Sequence, residues 1–234
     1  MFTKNEQRLK SERRDDQLKN LFAKKSTDVI RVLLINYPKT WMMRDLAEES
    51  GVALGYASRV SKALIKQRLA LRSSARAELK IIDPTELLRR WATFANFVAR
   101  STFIEYYTNV EDIKTFLKGL NDEKNREYAL TGLAGALLVE PFVRPTNIHI
   151  YVKTEDSARK FAHHLDLMPI EENGNVKFVI APSEGIFYAA QLIDKINVVS
   201  DIQLYVDLYN YPGRGREAAD ELYKKIEKKW GRRE

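Results

Sequence analysis

The chain has 234 residues, 39 Lys and Arg against 32 Asp and Glu, and no cysteine. That length suits one large or two small domains, and the 44% apolar content is that of a globular protein rather than a disordered one. The missing cysteines exclude disulfide frameworks, Cys-ligated zinc and iron–sulfur sites, and thiol nucleophiles. No apolar run reaches the roughly 18 residues of a membrane span, and the charged start carries no secretory signal. The expectation is a soluble, cytoplasmic protein. Residues 1–92 hold 20 Lys and Arg against 11 Asp and Glu, a net of +9, whereas the remainder holds 19 against 21, a net of −2. A basic region joined to a near-neutral one points to a polyanionic partner for the first region. The bland alternative is a solubilising tail.

Residues 1–25 form a charged extension with sparse apolar positions (Leu9, Leu18, Leu21, Phe22). Ser26 or Thr27 is placed to cap a helix carrying Val29, Ile30, Val32, Leu33, Leu34 and Ile35, which Pro38 stops. Thr40 is placed to cap a second helix that runs to about Ser50 and ends at Gly51. A third helix spans about 54 to 67. Ala57, Val60 and Leu64 form its inward face, which turns Tyr56, Ser58, Arg59, Lys62 and Lys66 outward. Those are residue types that reach phosphates and base edges from a helix in a major groove. Leu69 and Leu71, then Leu79 and Ile81, alternate with other residues as in a hairpin. Arg72, Ser73, Ser74 and Arg76 lie around its tip.

Three helices and a two-stranded wing over 26–83 make a winged helix-turn-helix. Candidate DNA contacts are Lys39 and Thr40 at the second helix, Tyr56, Ser58, Arg59, Lys62 and Lys66 on the third, and Arg72, Ser73, Ser74 and Arg76 on the wing. The competing reading is a winged helix that binds protein and never meets DNA.

Asp83-Pro84 starts a helix running to about Arg100, and a second is predicted from Val110 to Lys118. The stretch 84–120 therefore reads as a helical connector. Its aromatic stripe (Trp91, Phe94, Phe97, Phe103, Tyr106, Tyr107, Phe116) suits a core, a subunit contact or a ligand pocket, in that order. From 121 to 234 the pattern is mixed α/β. A helix is predicted from Glu123 to Leu138, strands at 147–152, 176–181 and 196–199, and helices at 155–165, 201–208 and 216–229. The Gly132-x-x-Gly135 spacing does not read as a phosphate loop, since no strand is predicted before it. The fold class is thus α/β (α+β), a winged helix joined by helices to a C-terminal mixed α/β domain.

Chemistry is scarce. His149, His163 and His164 lack zinc-ligand spacing, and neither a nucleophile elbow nor a Walker motif occurs. Glu184 and Asp194-Lys195 are the nearest to a two-metal nuclease set, without a companion carboxylate. No catalytic residue, metal or cofactor is assigned.

The run from Val198 to Ala219, with Ser200-Asp-Ile-Gln-Leu-Tyr-Val-Asp-Leu208 and Pro212-Gly-Arg-Gly215, resembles the AbiEi family of regulator–antitoxins of type IV toxin–antitoxin systems. Tyr128-Ala-Leu-Thr-Gly-Leu133 resembles another signature of that family. The resemblance extends over roughly 26–225. It implies a double-stranded-DNA-binding repressor, often of its own operon, with a nucleotidyltransferase toxin as a possible partner. A nucleoid-associated homodimer on an inverted repeat fits this. The alternatives are a non-specific, replication- or chromatin-associated DNA binder and a toxin-neutralising interaction module. The bland reading of the Pro-Gly-Arg-Gly segment is a helix–turn–helix junction that Gln203 and Asp207 help to fix.

Overall fold

The computed structural model describes residues 21–22, 25–74, 76–110, 112–120, 127–141 and 145–231. Most of the charged extension at 1–25, the first residues of the helix expected from Glu123, and Ala75 in the hairpin tip lie outside them. The chain divides into two compact units, one ending at Leu87 and one beginning at Leu88.

The first unit contains α1 (Ser26–Ile35), α2 (Met43–Glu49), α3 (Leu54–Lys66), β1 (Ala70–Leu71) and β2 (Lys80–Ile81). Its core is the apolar periodicity of these helices: Val29, Ile30, Leu33 and Leu34 of α1, Leu46 of α2, and Ala57, Val60 and Leu64 of α3, all buried. Gly51, at φ +62°, takes the chain out of α2 through the left-handed region. Neither expected cap forms. α1 follows Lys25 and α2 follows Met42, both without a side-chain cap. Ser26 and Thr40 are engaged elsewhere in the fold, Ser26 with Tyr56 and Thr40 with Glu78.

The hairpin also differs from its expected alternation. Arg68 sits at φ +59° and the Leu69 amide still bonds the Leu64 carbonyl, so the chain is turning out of α3 at Leu69. The strand begins one residue later. Ala70 pairs with Ile81 and is buried, while Leu71 pairs with Lys80 and is exposed. Trp41 pairs with Leu79 in an antiparallel bridge, with hydrogen bonds of 3.0 and 2.8 Å, which extends the hairpin towards α2.

Asp83 caps the next helix, α4 (Pro84–Ala95), its carboxylate accepting the Glu86 amide at 2.8 Å. The division between the units falls within α4. The second unit continues with α5 (Phe97–Arg100), β3 (Phe103–Tyr107), α6 (Ile113–Gly119), β4 (Tyr128–Thr131), α7 (Gly132–Val139), β5 (Ile148–Val152), α8 (Glu155–His164), β6 (Met168–Pro169) and β7 (Val176–Ile180). A 3₁₀ turn (Glu184–Phe187), β8 (Gln191–Ile193), β9 (Ile196–Val198), α9 (Asp201–Tyr209) and α10 (Gly215–Gly231) complete it.

The strands form one mixed sheet in the order β6-β3-β7-β5-β4-β9-β8. β5 runs parallel to β7 and β4 to β9, and the other pairs are antiparallel. One core cluster joins Tyr106, Tyr128, Leu130, Ile148, Ile150, Val152, Val176 and Phe178 of the sheet with Phe116 and Leu117 of α6 and Ala158, Phe161 and Ala162 of α8. Because side chains alternate along a strand, Thr131, His149, Tyr151 and Lys177 face the other way.

Two strands lie where none was expected. Phe103, Tyr106 and Tyr107 belong to β3, inside the stretch read as a helical connector. Residues 128–131 form β4, so Gly132 does follow a strand, contrary to the expectation. All four β4 residues are buried and run straight into the apolar α7, which leaves no alternation to mark where strand becomes helix.

Candidate nucleic-acid interface

Periodicity fixes the two faces of α3. With Ala57, Val60 and Leu64 fully buried, the positions near the opposite side are Gly55, Ser58, Arg59, Lys62 and Lys66. Gly55, Lys62 and Lys66 are exposed, and Ser58 and Arg59 are half-buried. The helix therefore carries three cations over two turns of its outer face, on an exposed scaffold whose inner face is locked by packing.

Tyr56 lies at the flank. Its hydroxyl shares a 2.9 Å hydrogen bond with the Ser26 hydroxyl, tying α3 to α1. The Arg59 guanidinium lies 5.3 Å from the Tyr56 ring centre, within cation–π range.

The other candidates surround α3 in sequence. Lys39 stands 3.7 Å over the Trp41 ring. Thr40 donates its hydroxyl to Glu78, which couples the start of α2 to the base of the hairpin. Arg72 is half-buried and donates from Nε to the Ala77 carbonyl at 2.7 Å, closing the tip. Ser73, Ser74 and Arg76 are exposed, and the Arg76 amide bonds Ser74 Oγ at 3.3 Å. Arg76, Lys62 and Lys66 present charge outward, whereas Thr40, Arg72 and Tyr56 are engaged in holding the unit together.

The second unit contains a polar cluster that sequence reading did not find. Register places Glu105 beside Lys177, Lys177 beside His149, and His149 beside Thr131, a row crossing four strands on one face of the sheet. Lys177 pairs with Glu105 at 2.8 Å. Desolvation opposes ionisation of Glu105, but the Lys177 ammonium and the Gly174 amide outweigh it and hold its carboxyl below the usual range. At the other end, buried Asp207 of α9 accepts from Thr131 Oγ1 at 2.7 Å, Tyr151 hydroxyl at 3.3 Å and Gln203 Nε2 at 2.7 Å. Gln203 and Asp207, expected to fix the turn after α9, are bonded to each other within α9, and Asp207 also joins that helix to the sheet.

His149 is buried in the middle of the row, in edge-on contact with Phe97, Phe103 and Tyr211. Its Nδ1 has no hydrogen-bond partner. Burial, with the Lys177 charge nearby, pushes its pKa down to about 4, so the ring is neutral at physiological pH. Gly132 opens α7 beside it at φ +60°, and a Cβ there would come within 3.3 Å of Nδ1.

Asp194 and Lys195, at φ +48° and +68°, form the two-residue turn of the β8–β9 hairpin. Glu184 pairs with Lys153 at 3.5 Å. Arg214 and Arg216 of the Pro-Gly-Arg-Gly segment pair with Glu217 and Asp220 at 2.9 and 3.1 Å, and Arg216 also covers the Tyr209 ring at 4.1 Å. At Gly215 a Cβ would lie 2.5 Å from Tyr211 Cβ, so that junction requires glycine. Among the described residues, no group of three or more His, Asp or Glu side chains is placed to hold a metal ion. No helix among them is long and apolar enough to cross a membrane.

A family model described as "Transcriptional regulator, AbiEi antitoxin, Type IV TA system" matches residues 80–227. The match covers the sheet unit and its flanking helices, while the candidate contacts from Lys39 to Arg76 precede it. No curated protein and no solved structure matches the chain.

Proposed function

Because the chain belongs to the AbiEi family of transcriptional regulator–antitoxins of type IV toxin–antitoxin systems, we propose that it is a sequence-specific repressor of double-stranded DNA. Residues 26–83 are its winged-helix DNA-binding domain, and the sheet unit is its family-specific domain. The observation that carries this reading is the outer face of α3, where Arg59, Lys62 and Lys66 stand opposite the buried Ala57, Val60 and Leu64. A 13-residue helix is long enough to lie in a major groove and touch bases at one end and phosphates at the other.

In this mechanism α3 enters the groove. Arg59, held by the Tyr56 ring, reaches base edges, where its planar fork matches the two acceptors of guanine. Ser58 and Lys62 flank it, and Lys66 meets the backbone. Ser73, Ser74 and Arg76 at the hairpin tip follow the adjacent phosphates, with Lys39 at the entry to α2. Thr40 and Arg72 keep the hairpin and α2 in register for these contacts. The charge difference between the regions, +9 over residues 1–92 and −2 over the rest, concentrates the electrostatic attraction on the first region.

The chain acts in the cytoplasm at the nucleoid, without catalysis or cofactor. Its partners are its own promoter, a second copy on an inverted repeat and, where one is encoded beside it, a nucleotidyltransferase toxin. Binding to the DNA upstream of its own gene, measured beside random duplex at two salt concentrations, tests the reading. A preference of roughly a thousandfold supports it. Steeply salt-dependent binding without preference would replace it with a non-specific DNA binder. Absence of binding to either duplex would leave a protein-interaction module.

A further inference from the structure

The outer face of α3 begins with two residues that carry no charge. Leu54, the first residue of the helix, is 45% exposed. Gly55 follows, exposed, and a Cβ built on it would meet nothing within 4 Å. Gly55 is not at positive φ, and no neighbour forbids a side chain there, so folding gives no reason for glycine. In an exposed helix glycine is less favourable than alanine, so its presence costs stability. A bare helix surface is useful where another molecule's backbone or base edge comes close.

Gly55 lies on the same outward line as Arg59, Lys62 and Lys66, at the end where helices of this kind approach base pairs. Leu54 lies somewhat more than a quarter-turn from that line, four residues before Ser58 and therefore on the side of the helix that carries Ser58. An exposed leucine alone is unremarkable. Here it flanks a gap in a basic, groove-facing surface, and the apolar feature of a major groove is the thymine 5-methyl group.

Resting on the DNA-binding reading, we infer that Leu54 is a specificity-determining residue: it packs on the 5-methyl group of a thymine, and Gly55 lets the helix come close enough for that contact. The chain's preferred duplex would then contain at least one thymine whose methyl group, rather than its hydrogen-bonding edge, is recognised.

The test uses the full-length chain. Preferred duplexes are selected from random sequence, and each thymine is then replaced in turn by deoxyuridine, which removes the methyl group and leaves the base pairing unchanged. One position should weaken wild-type binding by roughly threefold to tenfold, the scale of one apolar methyl contact. Leu54→Ala should lose a similar factor on the thymine duplex and nothing more on the deoxyuridine duplex. Gly55→Gln, which adds bulk into open space, should keep or raise the melting temperature and lose at least about tenfold in affinity. A full methyl effect in Leu54→Ala, or wild-type affinity in Gly55→Gln, overturns the inference and leaves the repressor reading in place. Failure of any sequence to be enriched overturns the repressor reading itself.

Discussion

Replacing His149 by phenylalanine should remove a specific part of the chain's acid sensitivity without weakening it at neutral pH. The imidazole is buried against Phe97, Phe103 and Tyr211, and its Nδ1 has no partner. An aromatic hydrocarbon ring of nearly the same shape therefore gives up no hydrogen bond at that atom. Its stability at pH 7.5 should lie within about 1 kcal/mol of wild type. The pH dependence follows from the pKa of about 4 in the folded chain against an ordinary 6.5. Well above pH 6.5 the ring is neutral whether the chain is folded or unfolded. As pH falls from 6.5 towards 4 the unfolded chain takes up a proton that the folded chain refuses. Stability is lost over that window, by up to roughly 3 kcal/mol, and the loss levels off below it. Urea unfolding from pH 7.5 to 4.5, read from Trp91 and Trp230 of the sheet unit in a Trp41→Phe background, measures this contribution. Carboxylates titrate in both proteins, so the informative quantity is the difference between wild type and His149→Phe. Equal slopes would refute the burial argument, and a loss of more than about 2 kcal/mol at pH 7.5 would show that Nδ1 makes a needed bond.

Arg59→Ala should cost about 1–3 kcal/mol on the preferred duplex and much less on random DNA, as read by fluorescence anisotropy; equal losses on both would remove Arg59 from base reading. Arg76→Ala should weaken every duplex alike and lower the slope of log affinity against log salt by about 1, and an unchanged slope would take the hairpin tip off the phosphates. Asp207→Ala removes the acceptor of three hydrogen bonds, from Thr131, Tyr151 and Gln203. It should destabilise the sheet unit by about 3 kcal/mol or more, visible in the urea midpoint. Gly132→Ala forces a side chain into φ +60° and to within 3.3 Å of His149 Nδ1. A cost of about 1–3 kcal/mol is expected, and a neutral effect would mean that the strand-to-helix turn can relax.

What could be read along the chain was what local periodicity and local chemistry decide. The inward triad Ala57, Val60 and Leu64 at i, i+3 and i+7 fixes the outer face of α3 whatever else the fold does, so the candidate contacts on that helix follow from sequence. Asp83-Pro84 and Ser200 start helices because the capping bond closes within three residues. The run from Val198 to Ala219 and the segment 128–133 carry the family resemblance, and the family model matches over 80–227.

Tertiary structure decided what depends on partners far away in the chain. Ser26 and Thr40 bond Tyr56 and Glu78 instead of capping helices, over separations of 30 and 38 residues. Residues 103–107 and 128–131 became strands because flanking strands pair with them. Being apolar and buried, β4 shows no alternation to read. The row Glu105, Lys177, His149 and Thr131 exists only through the register of four strands drawn from 105 to 177. A strand's pattern tells which side chains share its own face, but which strand lies beside it, and at which residue, is set by burying the whole sheet at once.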